Sequence, residues 1–121
     1  MSAPQLSVSV RLRIPLSAMD MREMQKAVYQ NKLDHGFNVT DVHLEFCLLY
    51  GEVGEAFESW KKSKDNVGEE LADVAIYLMG LAEILGVDLK DEIEKKIEIN
   101  RNRQYKLRNG VHIKAEEIEE E

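Results

Sequence analysis

From residue 71 to 85 the chain is apolar almost all the way round a helical wheel, interrupted mainly by Asp73, Tyr77 and Glu83. A helix that is apolar on every side must be covered on every side. The chain has 121 residues, enough for one domain, and three short neighbouring helices from a single copy cover such a helix poorly. These facts predict an all-α domain that assembles as a homo-oligomer, with this helix at or near the interface.

The flanking sequence supplies the neighbours. Ser17 with Asp20 reads as a helix start, and Met21, Met24 and Val28 mark one face of a first helix reaching about residue 34. His35-Gly36-Phe37-Asn38 breaks it. A second helix is expected from about 41 to 62 and a third from about 67 to 85, closed by Gly86. Asp88 and Asp91 start a fourth, reaching about residue 105. On the second helix Val42, Phe46, Leu49, Tyr50, Val53, Ala56, Phe57 and Trp60 form one stripe, expected to be a core face. Before the helices, Val8, Val10, Leu12 and Ile14 alternate with polar residues, which is strand periodicity. The organisation expected is an extended arm over residues 1–16, a helical domain over 17–109, and an acidic, solvated tail over 110–121.

Composition removes several function classes. The net charge of −7 argues against a partner that is a nucleic-acid polymer, which needs a basic face. Cys47 is the only cysteine, so neither an internal disulfide nor a cysteine zinc site can form, and a reducing compartment fits. No apolar stretch is long enough for a bilayer and no signal-peptide pattern opens the chain, so the expectation is a cytoplasmic protein without a membrane partner. His35, His43 and His112 lack metal-ligand spacing, and no glycine-rich phosphate loop precedes a helix.

The acidic residues are patterned. Glu52 and Glu55 stand three apart and share a helix face, and Glu70 and Asp73 repeat that spacing on the next helix. A short polar turn at residues 62–66 makes the two helices antiparallel. In such a hairpin, level residues have position numbers with a constant sum. Glu52 with Asp73 and Glu55 with Glu70 give the same sum, centred between Lys62 and Ser63. All four carboxylates can then face one gap. Carboxylates about 5 Å apart repel by roughly 3 kcal/mol at an effective dielectric of about 20, so the cluster calls for protonation or a cation. Oxygen-only ligands favour a hard ion, Mg²⁺ or Mn²⁺. Against this stands the ordinary role of glutamates on solvated helix faces, the reading given to Glu45, Glu58 and Glu69. It fits Asp73 badly, because a carboxylate within an apolar run needs a partner. Lys96, Asn100 and Arg103 share a face of the fourth helix beside Leu89, Ile93 and Ile97. They could receive phosphate oxygens, or form a surface stripe paired with glutamates. Phe37 and Trp60 read as core or lid residues, one of which could stack on a base.

On Glu52-Val53-Gly54-Glu55, then Glu70-Leu71-Ala72-Asp73, then Lys96-x-x-x-Asn100-x-x-Arg103, the chain resembles the MazG-type all-α nucleotide pyrophosphohydrolases. His35-Gly36-Phe37 adds to the likeness, which spans about residues 20–105. The resemblance implies a four-helix MazG-like bundle, assembled as a homodimer or homotetramer. It also implies a Mg²⁺-dependent enzyme that cleaves a nucleoside triphosphate between the α- and β-phosphates, giving a monophosphate and pyrophosphate. It makes Glu52, Glu55, Glu70 and Asp73 the catalytic metal ligands, and Lys96, Asn100 and Arg103 the phosphate contacts. One departure is Gly51, where many members carry a glutamate; Glu58, one turn after Glu55, is a candidate to replace it.

In the expected mechanism a carboxylate, Glu55, takes a proton from a metal-activated water that attacks the α-phosphorus. The rivals are a non-catalytic dimeric module with a structural divalent ion and a pyrophosphohydrolase for a phosphoribosyl nucleotide. A di-iron bundle needs Glu-x-x-His pairs, which are absent.

Overall fold

The computed structural model describes residues 16–103 and 105–114. The alternating segment expected to form an arm and the glutamate-rich end of the tail lie outside them. The described residues hold four α-helices: α1 (Met21–Asp34), α2 (Val42–Lys61), α3 (Val67–Ile84) and α4 (Leu89–Asn102). A short 3₁₀ turn, Leu16–Ala18, precedes them and a two-stranded hairpin follows, β1 (Tyr105–Arg108) and β2 (Val111–Lys114). The all-helical class is as the periodicity requires. No helix among the described residues is long and apolar enough to cross a membrane.

Local chemistry sets the boundaries. Asp20 and Asp41 cap α1 and α2, accepting from the backbone N–H of Glu23 at 3.0 Å and of Leu44 at 3.1 Å. Gly36 and Gly86, with φ of +68° and +70°, end α1 and α3 in the left-handed conformation. The same closure ends α2 at Ser63, φ +55°, where the N–H of Lys64 reaches the carbonyl of Ser59 at 2.9 Å. A non-glycine residue there carries a steric cost, accepted to turn the chain sharply between α2 and α3.

The chain forms two compact units that divide after Leu89. In the first, α3 packs against both α1 and α2. Gly80 permits the approach of α1, since an added Cβ would lie 3.3 Å from Lys32 Cδ and 3.4 Å from Val28 Cγ1. The interior is small and unusually polar. Ala56, Leu81 and Ala82 are buried, and so are Gln25, Lys32, Glu45 and Ser59. Gln25 donates to Glu83 Oε1 at 3.0 Å and to the Val87 carbonyl at 2.7 Å, and accepts from the Leu89 N–H, fastening α1 to the end of α3. Glu45 accepts from Lys32 Nζ at 2.7 Å and from Asn38 Nδ2 at 3.0 Å, fastening α2 to α1 and to the loop between them.

Two expectations are corrected. Most of the α2 stripe is not a core face within one chain: Phe46, Tyr50, Val53, Phe57 and Trp60 are exposed, Val42 and Leu49 are half-buried, and Ala56 alone is buried, beside the buried polar Glu45 and Ser59. Apolar periodicity records which face avoids water, not whether this chain or another copy covers it. Glu45, read as solvated, is 1% exposed because two partners compensate its burial, the Lys32 ammonium at one oxygen and the Asn38 amide at the other.

The second unit, from Lys90 on, contains nearly all of α4 and the hairpin. The fourth helix stops at Asn102, short of residue 105. Asn109-Gly110, expected to end the packed part, is instead the turn joining β1 to β2, with Arg108 opposite Val111. Both turn residues have positive φ, 52° and 79°, the geometry that matches the twist of a two-residue hairpin.

Candidate metal centre

The helix hairpin brings three of the four paired acidic residues together. Glu52 and Glu55 on α2 and Glu70 on α3 each offer a carboxylate oxygen, all within 4.8 Å of one another. Glu52 and Glu70 are half-buried and Glu55 is exposed. Asp73 is half-buried one turn beyond Glu70 and lies near enough for its charge to act on Glu52, although it is outside the group of three. Glu58 stands apart from the cluster, exposed and paired with Lys62 at 3.2 Å.

Electrostatics make this a costly arrangement. The Glu52 carboxyl is pushed above its ordinary pKa, first by burial, then by its hydrogen bond with Glu55 and the charge of Glu55, then by the charges of Asp73 and Glu70. The Tyr77 hydroxyl, one turn past Asp73, is pushed up as well, by burial and then by the charges of Glu52, Glu45, Asp73 and Glu55. Glu52 Oε2 and Glu70 Oε2 are buried with no hydrogen-bond partner. Buried carboxylate oxygens without donors are rare in folded proteins and need a reason. A hard divalent cation fits this set: it would satisfy both orphaned oxygens and cancel the repulsion, and every candidate ligand is an oxygen. Glu52, Glu55 and Glu70 could hold it, with Asp73 beside them.

Neighbouring features escaped the sequence reading. Ser59 Oγ donates to Asn66 Oδ1 at 2.6 Å, and Asn66 Nδ2 donates to Glu70 Oε1 at 3.2 Å. The available signal was weak: Ser59 falls seven residues after Glu52 on α2, the spacing of two turns on one face. A cavity of about 310 Å³ lies between α1 and α3, lined by Val28, Asn31, Lys32, Phe37, Tyr77 and Gly80 among others. Phe37 is 54% exposed and stacks on His35 with ring centroids 5.2 Å apart. Trp60 is exposed beside Phe57, away from a core role.

Lys96, Asn100 and Arg103 belong to the second unit. Lys96 and Asn100 are exposed, Arg103 is half-buried, and Arg103 Nη1 donates to Asn100 Oδ1 at 3.2 Å. The glutamates of α4 pair with other cations, Lys95 with Glu92 and Arg101 with Glu98.

A helical hairpin whose facing carboxylates crowd into a half-buried cluster defines an all-α protein of the kind that takes up a divalent cation. The chain belongs to the MazG-like family, whose model matches residues 43–119. Among solved structures it is similar to the cyanophage S-2L MazG-like pyrophosphohydrolase, which is bound to dGDP and three catalytic Mn²⁺ ions per active site. The likeness has a TM-score of 0.65 at 28% identity and covers 80% of this chain and 96% of that one. No curated protein matches the chain.

Proposed function

We propose that this chain hydrolyses a nucleoside triphosphate between its α- and β-phosphates, releasing a nucleoside monophosphate and pyrophosphate. The broader statement, a hydrolase acting on the phosphoric anhydrides of nucleotides, rests on MazG-like membership and on the pyrophosphohydrolase neighbour. The observation that carries the reading is the pair of buried, partnerless oxygens on Glu52 and Glu70 inside the carboxylate cluster.

In this proposal Glu52, Glu55, Glu70 and Asp73 hold Mg²⁺, with Mn²⁺ able to replace it, as the Mn²⁺ ions of the cyanophage protein suggest. A bound divalent cation supplies charge neutralisation at the phosphate oxygens and acidifies a coordinated water. Glu55, the exposed member of the cluster, receives the proton of the attacking water. Glu52 and Glu70 remain fixed on facing helices and keep the phosphate end in one place. The nucleoside end is assigned to the cavity beside Tyr77, whose volume of about 310 Å³ falls at the small end of ligand sites, roughly 300–1,000 Å³. There the Phe37 ring offers a stacking face and the Asn31 amide a hydrogen-bonding edge. Lys96, Asn100 and Arg103 are assigned to phosphate oxygens on their chemistry, a cation and an amide one turn apart on α4 and a second cation just past its end.

The working form is proposed to be a homodimer or homotetramer. Tyr50, Trp60, Leu71 and Phe57 are 76%, 66%, 56% and 54% exposed, more apolar surface than soluble monomers ordinarily leave uncovered. A reducing, cytoplasmic setting suits the free and exposed Cys47.

Pyrophosphate release over a panel of nucleoside triphosphates, with Mg²⁺, with Mn²⁺ and with EDTA, tests the reading. Metal-dependent release from at least one nucleotide is expected. No release from any of them would leave a helical binding module, and release only from a phosphoribosyl nucleotide would move the substrate class.

A further inference from the structure

One buried polar chain beside the cluster is unused by the chemistry proposed above. Ser59 is 3% exposed. Its Oγ donates to Asn66 Oδ1 at 2.6 Å, and Asn66 Nδ2 in turn donates to Glu70 Oε1 at 3.2 Å. The other oxygen of that carboxylate, Oε2, is buried and has no partner.

The Glu70 carboxylate, which only accepts, fixes the sense of the amide, and the serine hydroxyl donates to the oxygen left facing it. Nδ2 faces Glu70; the flipped amide would set a carbonyl oxygen against a carboxylate oxygen. Asn66 is also the N-cap residue of α3, a position where asparagine ordinarily bonds the first turn, yet its side chain makes no capping hydrogen bond. Asp20 and Asp41 do cap their helices. The Asn66 side chain is thus spent on Glu70 rather than on the helix end it occupies.

We propose that Ser59 and Asn66 are positioning residues that hold Glu70 Oε1, leaving Oε2 aimed into the carboxylate cluster to receive a divalent cation. The proposal rests on the metal reading above. Groups that hydrogen-bond a ligand from behind set its orientation, and their loss commonly weakens metal binding about 10- to 100-fold. Because Ser59 reaches Glu70 only through Asn66, the two act as one unit.

Calorimetric titration of the full chain with Mn²⁺ alone tests this, on the unaltered protein, Ser59→Ala, Asn66→Ala and the double variant. Asn66→Ala is expected to weaken Mn²⁺ binding by at least about tenfold. Ser59→Ala is expected to weaken it by less, and the double variant to match Asn66→Ala, because the serine has no separate route to the metal. The Mn²⁺-induced rise in Tm, taken within each variant so that any baseline change cancels, should fall in the same order. Mn²⁺ affinity of Asn66→Ala within twofold of the unaltered protein would overturn the relay, as would an equal loss from Ser59→Ala with and without Asn66. If Asn66→Ala loses helix content by circular dichroism, Ser59→Ala carries the comparison alone, and unaltered affinity in it overturns the proposal. An unaltered protein that takes up no Mn²⁺ overturns the metal reading itself and the relay with it, so the two failures are told apart.

Discussion

Replacing Glu52 with glutamine should stabilise the metal-free protein while depriving it of its cation. Glu52, Glu55 and Glu70 present oxygens within 4.8 Å of one another. Unit charges that far apart repel by about 3.5 kcal/mol at an effective dielectric of ~20 and by about 0.9 kcal/mol in bulk water. Glu55 is exposed and the other two are half-buried, so screening brings each pair to roughly 1–2 kcal/mol. Glu52 enters two of the three pairs, and burial together with these neighbours raises its pKa. Glutamine keeps the shape, removes the charge and offers an amide donor to a neighbouring carboxylate. The net gain at neutral pH in EDTA is about 1–3 kcal/mol, or roughly 4–12 °C in Tm for a chain of this size. Thermal melting in EDTA and then in excess Mn²⁺, at one protein concentration, reads both halves of the argument. The unaltered protein should gain strongly from Mn²⁺ and the variant little. A variant that melts below the unaltered protein in EDTA would show that the cluster is a structural hydrogen-bonded unit, and the case for a cation would fall with it.

Other expectations follow from particular contacts. Lys32→Met keeps the side-chain stem but leaves Glu45, 1% exposed, with only the Asn38 amide. Urea unfolding should show a loss of about 3–5 kcal/mol, most of it recovered when Glu45→Leu is added; ordinary stability in the single variant would refute a charged buried pair. Asp73→Asn should lower kcat/KM for pyrophosphate release by at least about 100-fold with helix content unchanged, and full activity would remove Asp73 from the site. For pH, the folded metal-free protein holds the Glu52 proton more tightly than the unfolded chain does. Its stabilising share is present below about pH 4.3 and is lost as pH climbs through the raised value. Relative to Glu52→Gln, the unaltered protein in EDTA should therefore lose Tm over that window, and a flat difference curve would contradict the shift. Finally, Trp60→Glu should shift the assembly toward monomer in size-exclusion chromatography with light scattering, whereas an unaltered chain already monomeric at micromolar concentration would refute the oligomer.

The legible part of this protein was its local periodicity. The helix starts at Asp20 and Asp41 and the stops at Gly36 and Gly86 are set by backbone groups that need a nearby partner or a positive φ, so a few residues suffice to place them. The carboxylate cluster was legible for the same reason. Residues three apart share a helix face, and a short turn folds one such face onto the next, which brings Glu52, Glu55 and Glu70 together. Two features were open to a closer reading of the turns and caps: the Asn109-Gly110 hairpin, which carries a strong two-residue turn signal, and the place of Asn66 at the start of α3.

Burial was decided by the tertiary structure. Periodicity separates apolar from polar faces but does not name the surface that covers them, so Tyr50, Phe57 and Trp60 stand exposed on one chain while the charged Glu45 is enclosed. Lys32 and Asn38, thirteen and seven residues before Glu45, make that enclosure tolerable, and the amide of Asn66 finds Glu70 rather than its own helix end. The sequence alone determined the helices and the approach of Glu52, Glu55 and Glu70, because both follow from the 3.6-residue turn and short loops. Which polar groups are buried, and what satisfies them, depends on partners brought together in three dimensions, and only the packed structure reveals it.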